Sequence, residues 1–165
     1  LGGNGAIESF SILPRLLRDN VVYENWEGTH NTLVAQTLRD FARAGMHEGF
    51  LAGVDAQAKG VGGELAEALT PIHGPMEEAE RAIATIITQG DPGLAALALR
   101  PHLELLADLF LVSALAADVD SESDPEERAL GVDQVAWYVD RHVVGGAGAR
   151  DAAWAQRAHR VARGL

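Results

Sequence analysis

The stretch at 18–29 contains the residues of this chain that are best suited to chemistry. Glu27 lies between a bulky aromatic residue, Trp26, and Gly28, and Thr29 follows directly. A carboxylate that is held against an aromatic ring and away from water has its charged form disfavoured, which makes it a stronger base. The pattern therefore makes Glu27 a candidate general base, suited to removing a proton from carbon, although by itself it equally fits a solvated residue or a helix cap.

The residues after position 27 predict the helix start that would position this base. Thr29 has a hydroxyl that could cap a helix predicted over 32–44. Gly28 has no Cβ, so the backbone there could approach a ligand closely. The first N–H groups of a helix lack partners within the helix and suit an anion or a polarised carbonyl. A base and hydrogen-bond donors would then share one corner.

Three motifs within 2–31 resemble the C-terminal end of a flavin-dependent acyl-CoA dehydrogenase. The similarity covers about the first 45 residues. Beyond them, the chain is similar in a general way to branches of that family with an extra helical region, including the branch associated with the adaptive response to alkylation damage. The motifs, in chain order and close to the usual spacing, are Gly2-Gly3-Asn4-Gly5, Arg18-Asp19 and Glu27-Gly28-Thr29.

The resemblance implies α,β-dehydrogenation of an acyl-CoA thioester. Glu27 matches the position of the catalytic base, which removes the proton next to the thioester carbonyl while a hydride leaves the β-carbon for the flavin. The backbone N–H of Glu27 would help to polarise the thioester carbonyl. Some members of the family place their base on another helix. For Arg18 and Asp19, a structural ion pair or cap is the preferred interpretation.

The resemblance also implies an FAD cofactor and self-association. Part of the cofactor site would belong to a neighbouring subunit, so a homo-oligomer, either a dimer or a tetramer, is expected. Trp26 would flank flavin and substrate, although Tyr is common there, and Ala6 stands where an aromatic residue is usual. The positions that match FAD contacts are Gly2, Gly3 and Gly5 in the first motif and Gly28 and Thr29 in the last.

The family also needs an N-terminal helical domain and a middle β domain. We therefore expect the chain to be the C-terminal part of a longer enzyme, inactive by itself. The alternative is a non-catalytic helical module for interaction or oligomerisation that retains the ancestral motif.

Composition restricts the other classes of function. The formal charge is −11, and residues 61–165 carry eight basic and seventeen acidic side chains, or −9. Such a charge repels phosphate backbones, so no nucleic-acid partner is expected. The absence of cysteine excludes disulfides and thiolate sites and fits a cytoplasmic protein. No metal site is expected from the scattered histidines, and no membrane span from 94–119, which charged residues interrupt.

We expect an all-α fold, an up-and-down helical bundle like the C-terminal domain of the acyl-CoA dehydrogenases, with extra C-terminal helices. Residues 1–60 are expected to be the remnant of that domain, and 61–165 an additional C-terminal helical region. Apolar residues recur every three to four positions and nothing alternates as in a strand. The predicted helices are 14–21, 32–44, 46–59, 64–69, 74–88, 94–117, 125–143 and 151–163.

Local signals predict where these helices begin and end. The expected features are a cap at Ser11, a stop at Gly45, a helix end at Thr70-Pro71, a kink or break at Pro101 and an acidic loop over 118–127.

Overall fold

A computed structural model of the chain describes residues 2–23, 28–145 and 152–163, and every regular element in these ranges is helical. The predicted all-α class and helical bundle are confirmed. The α-helices are α1 Leu13–Tyr23, α2 His30–Ala44, α3 Met46–Gly60, α4 Gly63–Leu69, α5 His73–Ile86, α6 Pro92–Ser121, α7 Pro125–Tyr138 and α8 Ala152–Arg163, with 3-10 turns at Gly2–Ala6 and Thr70–Ile72 and a π-helical turn at Val139–Val143.

Helix α6 is the centre of the bundle. It packs against α2, α3, α5 and α7. Leu99 and Leu109 are fully buried within it, and Phe110 is half exposed. Helices α2 to α7 contribute to one continuous apolar core, which includes Phe41 from α2 and Val135 from α7.

Several predicted helix ends are confirmed because the local chemistry decides them. Gly45 adopts a left-handed conformation at φ 59°, and its N–H bonds the carbonyl of Phe41. Ser11 accepts the N–H of Leu13 at 3.1 Å at the start of α1. The carboxylates of Asp91 and Asp124 cap α6 and α7 in the same way, each accepting two backbone N–H groups.

The predicted acidic loop over 118–127 is wrong at its first half. Helix α6 continues to Ser121, and α7 begins at Pro125. The cause is Arg128, whose guanidinium donates to the carbonyls of Val119 and Asp120 at 2.8 and 2.9 Å. A cation that binds the last carbonyls of a helix stabilises its C-terminus. The helix therefore continues beyond 117, where its apolar pattern ends.

The predicted helix end at Thr70-Pro71 is confirmed, since α4 ends at Leu69. The expected reason is wrong, because Thr70 keeps a helical conformation before Pro71 and a 3-10 turn leads directly from α4 into α5, which begins at His73. Pro75 lies in the first turn of α5, where its missing N–H breaks no bond of the helix. Pro101 lies inside α6, which continues through it as one helix.

The N-terminal segment presents an apolar surface to solvent. Leu13, Leu16 and Leu17 of α1 are all about half exposed or more, and Phe10 before them is 70% exposed. Within the described residues, α1 packs mainly on the 3-10 turn at Gly2–Ala6, and the Arg18 guanidinium pairs with Glu8. An 11-residue helix is marginal in water by itself, so this apolar surface suits a packing partner.

Candidate functional site

The predicted base and its aromatic neighbour, Glu27 and Trp26, lie outside the described residues. The chain is described on either side of them, up to Tyr23 and again from Gly28. The assignment of Glu27 as a base therefore stays a prediction.

The backbone after position 27 turns sharply into α2. Gly28 has φ +119°, a conformation that L side chains rarely adopt, and Thr29 is extended at φ −67° and ψ 156°. A residue other than glycine at position 28 would be strained, which gives a physical reason for glycine in this motif. The connector thus enters the helix through a glycine turn.

Thr29 occupies the N-cap position of α2 but does not cap it with its side chain, so that part of the prediction is wrong. Its hydroxyl lies 3.2 Å from the hydroxyl of Thr32, and the two share a hydrogen bond. The carbonyl of Thr29 instead accepts the N–H groups of Thr32 and Leu33. The Thr29 side chain therefore caps none of the first-turn N–H groups of α2.

The glycine motif forms the 3-10 turn at Gly2–Ala6, which includes Gly2, Gly3 and Gly5. A Cβ at Gly3 would meet no atom within 4 Å among the described residues. The structural interpretation of Arg18 and Asp19 agrees with the geometry, since Arg18 pairs with Glu8 and Asp19 lies 3.8 Å from Arg15.

A furrow lies between α2 and α6, and the sequence did not indicate it. One of its lining residues is His30, the residue after Thr29. Its middle part is a cleft of 320 Å³, with His30 at its mouth and Arg100 and Glu104 on the α6 wall. The floor and the far end are largely apolar, formed by residues such as Leu103 and Phe110. Only the packing of α2 beside α6 brings these residues together.

A second group of polar residues lies where α7 becomes a π-helical turn. The hydroxyl of Tyr138 donates to Asp108 at 2.7 Å, and its ring stacks on His142 with centroids 4.5 Å apart. Burial, together with the neighbouring Asp108 carboxylate, raises the pKa of Tyr138 to about 12. The tyrosine is therefore protonated at neutral pH and joins α7 to α6, a structural role rather than that of a base.

Helix α8 is attached by charges. Asp133 of α7 accepts hydrogen bonds from Arg160, and Arg157 lies 3.6 Å away. The Arg160 hydrogen bond, with help from both guanidinium charges, lowers the pKa of Asp133 below 3.8, although partial burial opposes this shift. Two arginines of this last helix, Arg157 and Arg160, thus bind a neighbouring helix.

Two further properties concern ligands and membranes. Within 2–23, 28–145 and 152–163, no three His, Asp or Glu side chains gather where they could hold a metal ion. No helix in the same ranges has the length and apolar character needed to span a bilayer.

Comparison of the chain with protein-family models, with curated proteins and with solved structures finds no match.

Proposed function

We propose that the chain is the C-terminal helical part of an FAD-dependent acyl-CoA dehydrogenase. The observation that carries this proposal is the ordered set of three motifs within 2–31. Gly28 gives further support, because it adopts a positive φ, which favours glycine, directly before the N-cap of α2. The reaction would be removal of two hydrogens from the α and β carbons of an acyl-CoA thioester.

In this proposal the chain supplies the base. The carboxylate of Glu27 takes the proton from the α-carbon, and the backbone N–H of Glu27 donates to the thioester oxygen, where negative charge develops. General-base catalysis by one positioned side chain contributes about 10²- to 10⁴-fold in rate. When bound, FAD supplies the hydride acceptor.

Two features of the described residues suit a flavin beside this turn. Gly28 has no side chain and is half-buried, so a planar ring could approach its backbone. The hydroxyl of Thr29 is exposed and bonds the Thr32 hydroxyl instead of the helix backbone, which leaves it accessible to a ligand. Gly2, Gly3 and Gly5, by the resemblance, would meet the adenosine diphosphate part of FAD bound by another subunit.

The flavin content of the natural full-length protein tests this proposal. We expect a yellow protein with an oxidised flavin spectrum and about one FAD per subunit. The 165-residue chain alone is the control, and we expect no tight stoichiometric FAD binding to it. A full-length protein that is colourless as purified and binds no added FAD would refute the proposal.

A second candidate is a non-catalytic helical module for interaction or oligomerisation. The observation that favours it is the apolar surface of α1 and the preceding segment, where Phe10, Leu13 and Leu17 are all exposed. An exposed apolar surface of this kind commonly marks a protein interface. A colourless full-length protein that self-associates would favour this candidate over the enzyme.

A further inference from the structure

One side of α6 carries an exposed row of residues with heptad spacing. The exposed positions follow one another at intervals of four, three, four, three and four residues, which places them along a single face of the helix. This α6 stripe consists of Gly93, Leu97, Arg100, Glu104, Ala107 and Leu111.

Two members of the α6 stripe are large and apolar yet more than half exposed to solvent. Leu97 is 72% exposed and Leu111 is 53% exposed. Heptad spacing with exposed leucines is typical of a helix that packs against a second helix. Five of the six members of the α6 stripe, all except Leu111, also line the furrow beside α2.

The α6 stripe is complementary to itself when two copies of α6 run antiparallel. In one register, position n lies opposite position 204 minus n of the second copy. Leu97 then lies opposite Ala107, and Leu111 opposite Gly93, so each large side chain meets a small one. Small residues let helix backbones approach closely, and the leucines fill the space above them.

The charges of the α6 stripe agree with the same register. Within one chain, the side chains of Arg100 and Glu104 lie 3.7 Å apart and are more than half exposed. In the antiparallel pair, Arg100 of each copy lies opposite Glu104 of the other. This gives two pairs of opposite charge, which are related by the two-fold axis of the dimer. An interface in which residue i meets j and j meets i is the one that a two-fold dimer requires.

We propose that the α6 stripe is a homodimer interface, with two copies of this chain packed antiparallel through Leu97, Arg100, Glu104 and Ala107. The occupant of this face is a second copy of the same chain. The proposal gives a surface to the homo-oligomer of the proposed function, but it does not depend on flavin chemistry.

The first test measures mass in solution on the full chain. Sedimentation velocity should give twice the 17.5 kDa of one chain. Leu97→Glu should weaken the dimer at least tenfold, whereas Leu94→Glu, at a 61% exposed position of α6 outside the α6 stripe, should leave it unchanged. Circular dichroism confirms that both variants keep their helices. A monomer at all concentrations, or equal dimerisation of the two variants, would overturn the proposal.

Charge exchange tests the pairing. Arg100→Glu alone puts a carboxylate opposite Glu104 of the second copy, and we expect dimerisation to weaken about tenfold. The double variant R100E/E104R reverses both charges and should restore it. If the double variant dimerises no better than Arg100→Glu alone, positions 100 and 104 do not face one another in the dimer.

Disulfide formation tests the register. The chain has no cysteine of its own, so any disulfide must join the introduced cysteines. The double variant L97C/A107C should give a covalent dimer on mild oxidation. Leu97→Cys alone should not, because the two copies of position 97 would be about 15 Å apart along the helices, too far for a disulfide. Crosslinking by the single variant, or none by the double variant, would contradict this register. Neither result depends on whether the full-length protein binds flavin.

Discussion

Replacing Gly131 with alanine should destabilise the bundle at the contact between α6 and α7. Gly131 is buried in α7, and a Cβ there would lie 2.6 and 2.7 Å from the two methyl groups of Val119 on α6. Contacts this short force side chains or backbone to move, and overpacking of this kind costs typically about 1–3 kcal/mol. The better helix propensity of alanine returns about 1 kcal/mol.

The steric cost becomes measurable against a matched glycine. Gly53 is exposed in the middle of α3, and a Cβ there would meet no atom within 4 Å among the described residues. Gly53→Ala should therefore stabilise the chain by about 0.5–1 kcal/mol. We expect the free energies of unfolding of the two variants, measured by urea denaturation, to differ by about 1–3 kcal/mol, with Gly131→Ala the less stable.

The same contact can be tested from the other side. Val119→Ala removes the two methyl groups and leaves the Cβ of residue 119, which is 3.2 Å from a Cβ at position 131, so Gly131→Ala should destabilise that background much less than it destabilises the wild type. The double-mutant cycle isolates this coupling from the loss of buried volume at position 119. If Gly131→Ala stabilises the wild-type chain as much as Gly53→Ala does, that result would contradict the close contact between Gly131 of α7 and Val119 of α6.

Two further predictions concern caps and charges. Asp124→Ala removes the side-chain cap of α7 and should lower the free energy of unfolding by about 1 kcal/mol, whereas Asp118→Ala, at an exposed position within α6, should have a smaller effect. Asp133→Asn should destabilise the chain at neutral pH, within about 0.2–1 kcal/mol for a partly exposed ion pair, as measured by urea denaturation across pH. The folded-state pKa of Asp133 lies below its ordinary 3.8, so this contribution to stability is present above pH 3.8 and is lost as the pH falls further. The free energies of unfolding of the wild type and Asp133→Asn should therefore converge in acid. A difference between them that stays constant with pH would contradict the ion pair.

The sequence predicted the helices well wherever periodicity and local capping act together. The helix predicted over 74–88 forms as α5 with Met76 and Ile83 buried, in keeping with apolar residues every three to four positions, and Gly45 ends α2 through its left-handed conformation. These features depend on neighbours within a few positions, which a sequence states directly.

The sequence was wrong, or gave no information, where a distant side chain decides the structure. The C-terminal turn of α6 persists because Arg128, nine residues beyond Val119, reaches back to bind its carbonyls. Thr29 was expected to cap α2, but its hydroxyl pairs with that of Thr32 instead. The furrow beside α6 could not be predicted either, because it exists only once α2 and α6 pack side by side.

For the candidate site, the sequence predicted that Glu27 lies at the mouth of a helix. Position 27 lies outside the described residues, and Gly28, with its positive φ, comes just before α2. Whether Glu27 is the base depends on a substrate and a flavin, which neither periodicity nor packing can supply. That assignment remains a prediction until it is measured.

The most direct measurement is the bleaching of the flavin by acyl-CoA in the natural full-length protein, mixed rapidly without oxygen. We expect Glu27→Gln to retain its FAD and to lose the bleaching by about 10²-fold or more, because the base that removes the α-proton is gone. Glu24→Gln, a matched change three residues earlier in the same connector, should bleach like the wild type. Equal bleaching of all three proteins would show that the base lies elsewhere.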